Sequence, residues 1–396
     1  MTLRLKPIEE LERHEVHVTR SSDRVLKRVC ARAWDWRYRQ GWVPNVTPQS
    51  LEFGTALHLG WQAIYEPATW FTTSIEQKLK AAVDAFEASC NEQAERYLLA
   101  TSQTRLTWSG RDDYEARIEL GQRMLDYYMY RVHPKEDKDV RPVKTETAFR
   151  VYLHDEDGEP VRCYNSPPCG QIHDDGALVV HTGRVDVIFE DLVLGGYLIA
   201  DWKSIGGDKA VDGTEKNTSR FYPTDLIWNH DQLSFYGYAL RRVLKLDVRG
   251  HMLCEIRKDY PRLPAPLKRP EGRFSRDKQL STTYETYHSY VTEADPEGYA
   301  DGYYDGYLEW LCGPEAPIFH KRTPVRKSPD ELKEVGISVA HEVQAMLLPG
   351  LKPYPEPSPL ACKRCAYRGP CDMKMRGMDH MYTLRTLYTQ IETSEW

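Results

Sequence analysis

GRVDVIFEDLVLGGYLIADWKS, residues 183–204, is the stretch of sequence that decides the fold. β-Branched and aromatic residues dominate residues 185–189, and a second apolar run follows at residues 197–203. Gly195 and Gly196 stand between the two runs and supply the conformational freedom that a tight turn needs. Two such runs around a glycine turn predict a β-hairpin.

The predicted hairpin carries acidic side chains that can meet. Side chains alternate along a strand, so Asp201 and Lys203 project from the same face of the second strand. If the hairpin closes, Asp186 converges with Asp201 from the first strand and provides two hard oxygen ligands for Mg²⁺ or Mn²⁺. For the acid-x-Lys tripeptide alone, a solvated surface hairpin is the favoured interpretation, so other segments must decide.

The composition is that of an ordinary globular protein. The chain has 396 residues, a formal net charge of −6 and a mean hydropathy of −0.62. Its N-terminus is charged and no run reaches the roughly 18 apolar residues of a membrane span, so we expect a cytoplasmic protein with no membrane partner. One basic stretch, residues 241–278, fits either a local channel for nucleic acid or a solvated loop.

Several enzyme classes are excluded by motifs that the sequence lacks. It has no G-x-x-x-x-G-K-[ST] phosphate loop, so the chain is not a helicase motor. The HEVQA segment at His341 lacks the second histidine of a zinc protease, and no glycine-rich dinucleotide turn is evident. The acidic hairpin is therefore the leading candidate for a functional site.

GRVD and DWKS, which contain Asp186, Asp201 and Lys203, resemble the signature of the PD-(D/E)XK nuclease superfamily. In that superfamily the first acid follows a Gly-x-x pair and the second lies in an acid-x-Lys strand. Asp201 stands where many relatives carry glutamate, a variation that the pattern allows. The resemblance implies an α/β fold with a restriction-endonuclease-like core, a central mixed sheet flanked by helices. A helical N-terminal cap and a metal-stapled C-terminal helix would complete it.

The segment LEFGTALHLGWQAIYE predicts a helix that begins near Phe53 and carries His58 about one turn in. Its GTALH part resembles the Gly-Thr-x-x-His element that RecB-like nucleases place before their core. The resemblance implies that His58 is a metal ligand or lies beside the metal. Glu146, on a strand predicted at residues 143–153, fits either a further acidic group near the site or an exposed strand residue.

A helix predicted at residues 228–245 is followed by a strand at residues 251–258 that extends the sheet. Gln232 and Tyr236 are four residues apart and share a face of this helix. A Gln-x-x-x-Tyr pair soon after the acid-x-Lys strand resembles the extra motif of the RecB and CRISPR-adaptation branch. The resemblance implies that the pair helps to position DNA and the metal-bound site.

The sequence has nine cysteines, and Cys362, Cys365 and Cys371 form a C-x2-C-x5-C motif. In a cytoplasmic protein this spacing favours three corners of a metal centre over disulfides. With a lone cysteine far upstream, the pattern resembles the iron–sulfur staple of AddB-type and CRISPR-adaptation nucleases, and Cys30 matches that upstream position. The resemblance implies a [4Fe-4S] cluster tying the C-terminal segment to the N-terminal helices, although four cysteines also suit Zn²⁺.

The N-terminal part is predicted to be helical. One helix, capped near Ser21, runs from Arg24 to about Arg39 and contains Cys30. Long helical patterns at residues 73–100 and 114–130 predict a helical cap.

The loops and the C-terminal half give further predictions. Residues 155–176, with Cys163 and Cys169, predict a loop with at most a weak zinc pair, and the polar residues 208–217 would lie next to the site. Residues 261–281 predict an extended excursion that follows the phosphate backbone rather than a packed element. The four-residue spacing of three glycines suits one side of a helix: Gly298, Gly302 and Gly306.

Four regions follow from these assignments. We expect a helical region at residues 1–140 that contributes Cys30 and His58, and a nuclease core at residues 141–260. A basic excursion with helices follows at residues 261–350. A cysteine-cluster region at residues 351–396 closes onto the N-terminal helices.

The motifs together imply a metal-dependent DNA exonuclease of the RecB-like group. The resemblance implies that Asp186, Asp201 and His58, with the carbonyl of Trp202, hold one or two Mg²⁺ or Mn²⁺ ions, while Lys203 orients or deprotonates the attacking water. Hydrolysis would leave a 5′-phosphate and a 3′-hydroxyl.

A non-catalytic DNA-binding or recombination scaffold is the alternative, against which the intact acidic pair and lysine speak. A nuclease that lacks a helicase motor of its own is consistent with phage recombination or DNA-end processing, in which it would act with a separate annealing protein or helicase partner.

Overall fold

The computed structural model describes residues 16–45, 49–100, 108–164, 176–206, 221–348, 351–363 and 365–391. Within these ranges the protein is a mixed α/β structure, with a central seven-stranded mixed sheet flanked by helices. Cys169 and residues 208–217, which are named in the predictions from sequence, lie outside the described residues. None of the described helices combines the length and apolarity that crossing a bilayer requires.

The strands are β1 Val16–Arg20, β2 Trp42–Pro44, β3 Val140–Tyr152, β4 Arg162–Cys163, β5 Ala177–Asp191, β6 Tyr197–Ile205, β7 Val248–Arg257, β8 His320–Arg326 and β9 Tyr388–Gln390. The central sheet runs in the order β1-β5-β6-β7-β8, and β3 and β4 also pair with β5. β1 is parallel to β5 and β6 is parallel to β7, whereas the other pairings in this sheet are antiparallel. β2 and β9 form a separate two-stranded sheet.

The helices are α1 Ser21–Val29, α2 Ala31–Trp34, α3 Gln49–Ile64, α4 Ile75–Ala100, α5 Trp108–Tyr127, α6 His133–Glu136, α7 Thr224–Ile227, α8 Asp231–Val243, α9 Tyr284–Ala294, α10 Pro296–Ala300, α11 Asp305–Leu311, α12 Pro329–Met346, α13 Pro359–Lys363, α14 Arg368–Met375 and α15 His380–Leu387. The predicted helices at residues 73–100 and 114–130 correspond to α4 and α5. The helix that carries His58 begins at Gln49, before the predicted start near Phe53.

The predicted hairpin is confirmed as β5 and β6. Val187 pairs with Ala200 and Phe189 with Leu198 in an antiparallel register. Gly195 and Gly196 adopt φ values of +70° and +78°, which L-residues with side chains rarely tolerate, so glycine suits this turn.

Alternation along β6 assigns its side chains to two cores. Leu198, Ala200 and Trp202 pack with α3, α4 and α5 on one face of the sheet. Ile199, on the other face, packs with α8 and α12. The sheet therefore needs apolar side chains on both faces, and this is why β6 reads as a nearly continuous hydrophobic run.

The prediction of a single helix at residues 24–39 is wrong, because the helix is interrupted at Cys30. Cys30 has an extended backbone, with φ −164° and ψ 112°, so α1 ends at Val29 and α2 starts anew. A π-helical turn at Asp35–Arg39 follows, and from it Trp36 packs against Tyr367 of the C-terminal segment. Tertiary packing here outweighs local helix propensity.

The three glycines at positions 298, 302 and 306 do not share a helix face. α10 ends at Ala300, and Gly302 adopts a left-handed φ of +71° in the turn before α11. That turn buries Tyr304, whose hydroxyl donates to Asp295 Oδ2 at 2.5 Å. The glycines thus permit a corner between two short helices.

Residues 261–281 contain no named helix or strand, as predicted, but they are packed against the molecule, contrary to the prediction. Phe274 is buried in a cluster with Tyr287 and Tyr304. Arg273 pairs with Asp295 at 3.2 Å, so its charge is balanced within the protein.

A buried ion pair joins the edge strand to the helical face. Arg322 on β8 donates to Asp137 Oδ1 at 2.6 Å and to the hydroxyl of Tyr128 at 2.8 Å. Tyr65 at the end of α3 donates to Asp137 Oδ2 at 2.7 Å. Arg322 and Asp137 are almost fully buried, so each needs the other for charge compensation.

We expect Arg322→Met to lower the free energy of unfolding by about 3–5 kcal/mol, because it leaves the Asp137 carboxylate buried without its cation. Urea denaturation followed by circular dichroism measures this. Arg96→Met is the matched control, since Arg96 forms only an exposed pair with Glu92 and should cost under about 1 kcal/mol. Equal effects of the two substitutions would contradict the assignment.

Candidate active site

The β5–β6 hairpin brings the sequence-predicted acids together. The backbone N–H of Trp202 on β6 donates to Asp186 Oδ2 on β5 at 2.9 Å. This hydrogen bond holds the Asp186 carboxylate against the neighbouring strand, next to the residues on either side of Trp202. Asp201 and Lys203 follow the alternation predicted for the strand and form an ion pair with each other at 2.7 Å.

Helix α3 places His58 beside the hairpin. His58 Nδ1 lies 3.2 Å from Asp186 Oδ2. Trp61, three residues later on the same face of α3, stacks on Trp202 with ring centroids 6.1 Å apart. A Cβ atom on Gly54 would lie 3.6 Å from Ser204 Oγ, so the start of α3 runs close to the end of β6. Aromatic packing below the site therefore fixes the position of the imidazole above it.

Glu146 on β3 completes a group that can hold a metal ion. Ligand atoms of His58, Glu146 and Asp186 all lie within 4.8 Å of one another. Glu146 has a φ of +44°, a left-handed conformation that is rare for a residue with a side chain, above all inside a strand. Such a conformation costs of the order of 1–3 kcal/mol and tends to occur at functional sites. The sequence did not decide whether Glu146 belongs to the site or is an exposed strand residue, because no residue pattern predicts this backbone angle.

Asp201 lies outside that group of three. Its carboxylate is buried and faces the Lys203 ammonium. The carbonyl of Trp202 and the Asp201 carboxylate remain predicted metal ligands. The Trp202 ring itself is fully buried, so the residue contributes to the site through its backbone.

The electrostatics of the site favour bound cations. Burial raises the pKa of Asp201, and Asp186 adds to this, while Lys203 opposes it. For Lys203 burial lowers the pKa, but the Asp201 carboxylate outweighs burial and the net pKa is raised. Burial also lowers the pKa of His58, and its hydrogen bond to Asp186 reverses the direction. Lys203 therefore carries its proton at neutral pH.

Helix α8 contributes the predicted pair of polar residues. Gln232 Nε2 donates to the Tyr236 hydroxyl at 2.9 Å. Tyr236 packs edge-on against Phe149 of β3, with centroids 5.1 Å apart. A Cβ atom on Gly183 would lie only 2.5 Å from the Phe149 ring and 3.0 Å from the Tyr236 ring. The glycine that opens the GRVD segment thus makes room for these two rings.

An ionic clamp fixes the start of α8. Arg24 on α1 is buried and contacts Asp231 at 2.6 Å and Glu342 on α12 at 2.7 Å. Arg28 contacts the same two carboxylates. Asp231 directly precedes Gln232, so α1 and α12 together set where the Gln232–Tyr236 pair stands.

The predicted cysteine ligands lie in one region of the structure. Burial raises the pKa of the Cys365 thiol, and the nearby Cys30, Cys362 and Cys371 contribute further. Tyr367 N–H donates to Cys365 Sγ at 3.4 Å, and Arg32 donates to Cys371 Sγ at 3.5 Å. The grouping is looser than that around His58, since no three of these described thiols meet the 4.8 Å spacing.

The C-terminal segment closes on the N-terminal helices around these cysteines. Trp36, Trp42, Tyr367 and Leu384 form one buried cluster, and the Tyr367 hydroxyl donates to the Trp42 carbonyl at 2.6 Å. The pairing of β2 with β9 adds backbone hydrogen bonds to the same contact. N–H and guanidinium donors near the sulfurs suit thiolates that bind a metal centre.

A sequence model of the PD-(D/E)XK nuclease superfamily matches residues 26–372, which include every candidate site residue on β5, β6, α3 and α8. A search of curated proteins found no significantly similar sequence.

We expect Glu146→Gln and Asp186→Asn each to weaken Mn²⁺ binding roughly ten- to a hundredfold or more, because each removes one anionic oxygen from the group of three. Isothermal titration calorimetry measures this. Glu190→Gln is the control, since Glu190 lies on the same strand as Asp186 but pairs with Arg141. Unchanged Mn²⁺ affinity in Glu146→Gln would exclude that residue as a ligand.

Proposed function

The chain belongs to the PD-(D/E)XK nuclease superfamily, and from this premise we propose that it is a metal-dependent DNA exonuclease of the RecB-like group. The observation that carries the proposal is the approach of His58, Glu146 and Asp186 within 4.8 Å, beside the Asp201–Lys203 pair. A structural hairpin has no need for three metal-ligating side chains contributed by three separate elements.

The metal site would use His58, Glu146 and Asp186, with Asp201 and the Trp202 carbonyl on the adjacent strand. This set of one imidazole and several oxygens suits Mg²⁺ or Mn²⁺. When bound, such an ion activates a water molecule and neutralises charge on the scissile phosphate.

Lys203 acts in this proposal as a cation. Its pKa is raised by Asp201 despite burial, so the ammonium keeps its proton and is a poor general base. The ammonium instead donates hydrogen bonds to the phosphate and to the attacking water, where negative charge develops in the transition state. Of the two roles that the sequence left open, the electrostatic one is favoured.

Gln232 and Tyr236 position the DNA strand. Their mutual hydrogen bond leaves the second amide hydrogen and the amide oxygen of Gln232 for other partners. Cleavage in line with the departing 3′-oxygen leaves a 5′-phosphate and a 3′-hydroxyl. We propose a role in recombination or DNA-end processing of phage type, with a separate annealing protein or helicase.

A structural [4Fe-4S] cluster held by Cys30, Cys362, Cys365 and Cys371 is part of the proposal. The support is the approach of these four residues between the N-terminal helices and the C-terminal segment. Such a staple would hold α1 and therefore the ionic clamp on α8. Zn²⁺ is the competing metal.

We expect Asp201→Asn and Lys203→Met each to lower the DNA cleavage rate by about a hundredfold or more, because the first removes a proposed metal ligand and the second removes the cation that faces the reacting phosphate. The assay follows labelled single-stranded, duplex and circular DNA with Mn²⁺. Lys144→Met, an exposed lysine on β3, is the control and should cleave normally. Intact DNA binding without cleavage by the wild-type protein would favour the scaffold alternative.

We expect Cys30→Ser and Cys365→Ser to reduce bound iron and the thermal unfolding temperature, because each removes a ligand from the staple. Iron analysis and visible absorption of anaerobically purified protein measure this. Cys312→Ser, at an exposed cysteine elsewhere in the fold, should leave both unchanged. Stoichiometric zinc with no iron would refute the cluster.

A further inference from the structure

A cavity of about 460 Å³ opens next to Lys203 and is not used by the metal site. Its walls are largely apolar and include Phe221 and Tyr222, and its polar lining comes from Lys203, His230 and Glu255. Pockets of this size, with aromatic walls and a few fixed polar groups, are typical of small-ligand sites. Because Lys203 lines the cavity and pairs with Asp201, the cavity is adjacent to the proposed cleavage site.

The wall of the cavity is held in place by the sheet. Lys203, Glu255 and Lys321 occupy one row across β6, β7 and β8. Glu255 Oε1 accepts the N–H of Tyr222 at 2.7 Å, and Lys321 Nζ donates to the carbonyl of Tyr222 at 2.8 Å. Both backbone groups of Tyr222 are thus bound, so the wall is already formed before any ligand arrives.

Two polar groups of the cavity have unused hydrogen-bonding capacity. Glu255 is only 2% exposed, and its Oε2 has no hydrogen-bond partner among the described residues. His230 Nδ1 accepts the N–H of Leu233, which leaves the ring proton on Nε2 as a donor. A buried acceptor without a partner is costly unless a ligand supplies the missing donor.

We infer that this cavity binds the base of an unpaired nucleotide that adjoins the scissile phosphate. A base is flat and apolar on its faces and carries donors and acceptors on its edge, which matches aromatic walls with one buried acceptor and one donor. Exocyclic amino groups of adenine, cytosine and guanine can donate to Glu255, whereas thymine offers only the hydrogen on its ring nitrogen N3. The inference rests on the proposed nuclease function.

This assignment gives the enzyme a substrate preference. A base paired inside a duplex cannot reach a pocket beside its own phosphate unless it leaves the stack, which costs a few kcal/mol. Single-stranded DNA and frayed ends do not carry this cost. The protein therefore reads whether a strand is unpaired at the point of cleavage.

The substrate-side experiment scans single-stranded oligonucleotides that carry one abasic residue at successive positions. We expect an abasic residue next to the scissile phosphate to lower kcat/KM about five- to a hundredfold, and residues farther away to have little effect. At the sensitive position cytosine should be preferred over thymine. Equal cleavage at every abasic position would overturn the inference.

The protein-side experiment compares Phe221→Ala with Phe71→Ala, whose ring is 76% exposed and does not line the cavity. The probe is an oligonucleotide with 2-aminopurine at the sensitive position, bound in the presence of a chelator so that cleavage does not compete. We expect the fluorescence to be quenched by the wild-type protein and by Phe71→Ala, and to recover in Phe221→Ala. Equal quenching by all three would overturn the inference.

Failure of the nuclease proposal and failure of the cavity assignment would give different experimental results. If the nuclease proposal is wrong, Asp201→Asn and the wild-type protein will not differ in cleavage. If only the cavity assignment is wrong, Asp201→Asn will be inactive, while abasic residues and Phe221→Ala will leave kcat/KM unchanged and cytosine will not be preferred over thymine.

Discussion

The packing of Trp202 is the interaction on which the rest of the site depends. Its ring is buried under α3, stacked on Trp61 and close to Tyr65, while its backbone N–H holds Asp186. Trp202 thus fixes the position of α3 relative to β6, and its backbone fixes the position of Asp186 on β5 relative to β6. The apolar layer below His58 and Asp186 holds α3 against β6, and close-packed interiors transmit such constraints.

The charges around the hairpin are arranged in a way that would attract a divalent cation. Three carboxylates, of Glu146, Asp186 and Asp201, lie near two groups whose pKa values are raised, His58 and Lys203. Counted as ionised, the carboxylates outnumber the two cationic groups. A metal ion bound there would take His58 as a neutral ligand, while Lys203 would remain a cation beside it.

The parts of this architecture that could be predicted from sequence are those encoded locally. The hairpin, its acid-x-Lys strand and the Gln232–Tyr236 helix face follow from alternation, glycine placement and helical spacing. The role of Glu146 could not be decided, because it depends on a left-handed backbone angle that Glu146 adopts between the pairs Thr145–Val187 and Thr147–Val185. The break at Cys30 was missed for a similar reason, since contacts with the C-terminal segment outweigh helix propensity. The cavity beside Lys203 is lined by distant segments, so only the folded chain reveals it.

At Glu146 the requirements of stability and of the proposed activity conflict, because the backbone favours a residue other than glutamate whereas the site uses its carboxylate. Glycine would adopt the left-handed angle without strain, and asparagine would do so at a smaller cost than glutamate. Both would also delete a carboxylate from the group around His58. A laboratory screen for heat resistance alone would therefore select against a carboxylate at this position, and only a simultaneous demand for the proposed cleavage activity would retain the acid. A strained residue of this kind lowers the stability of the folded protein and is retained where its side chain serves the activity.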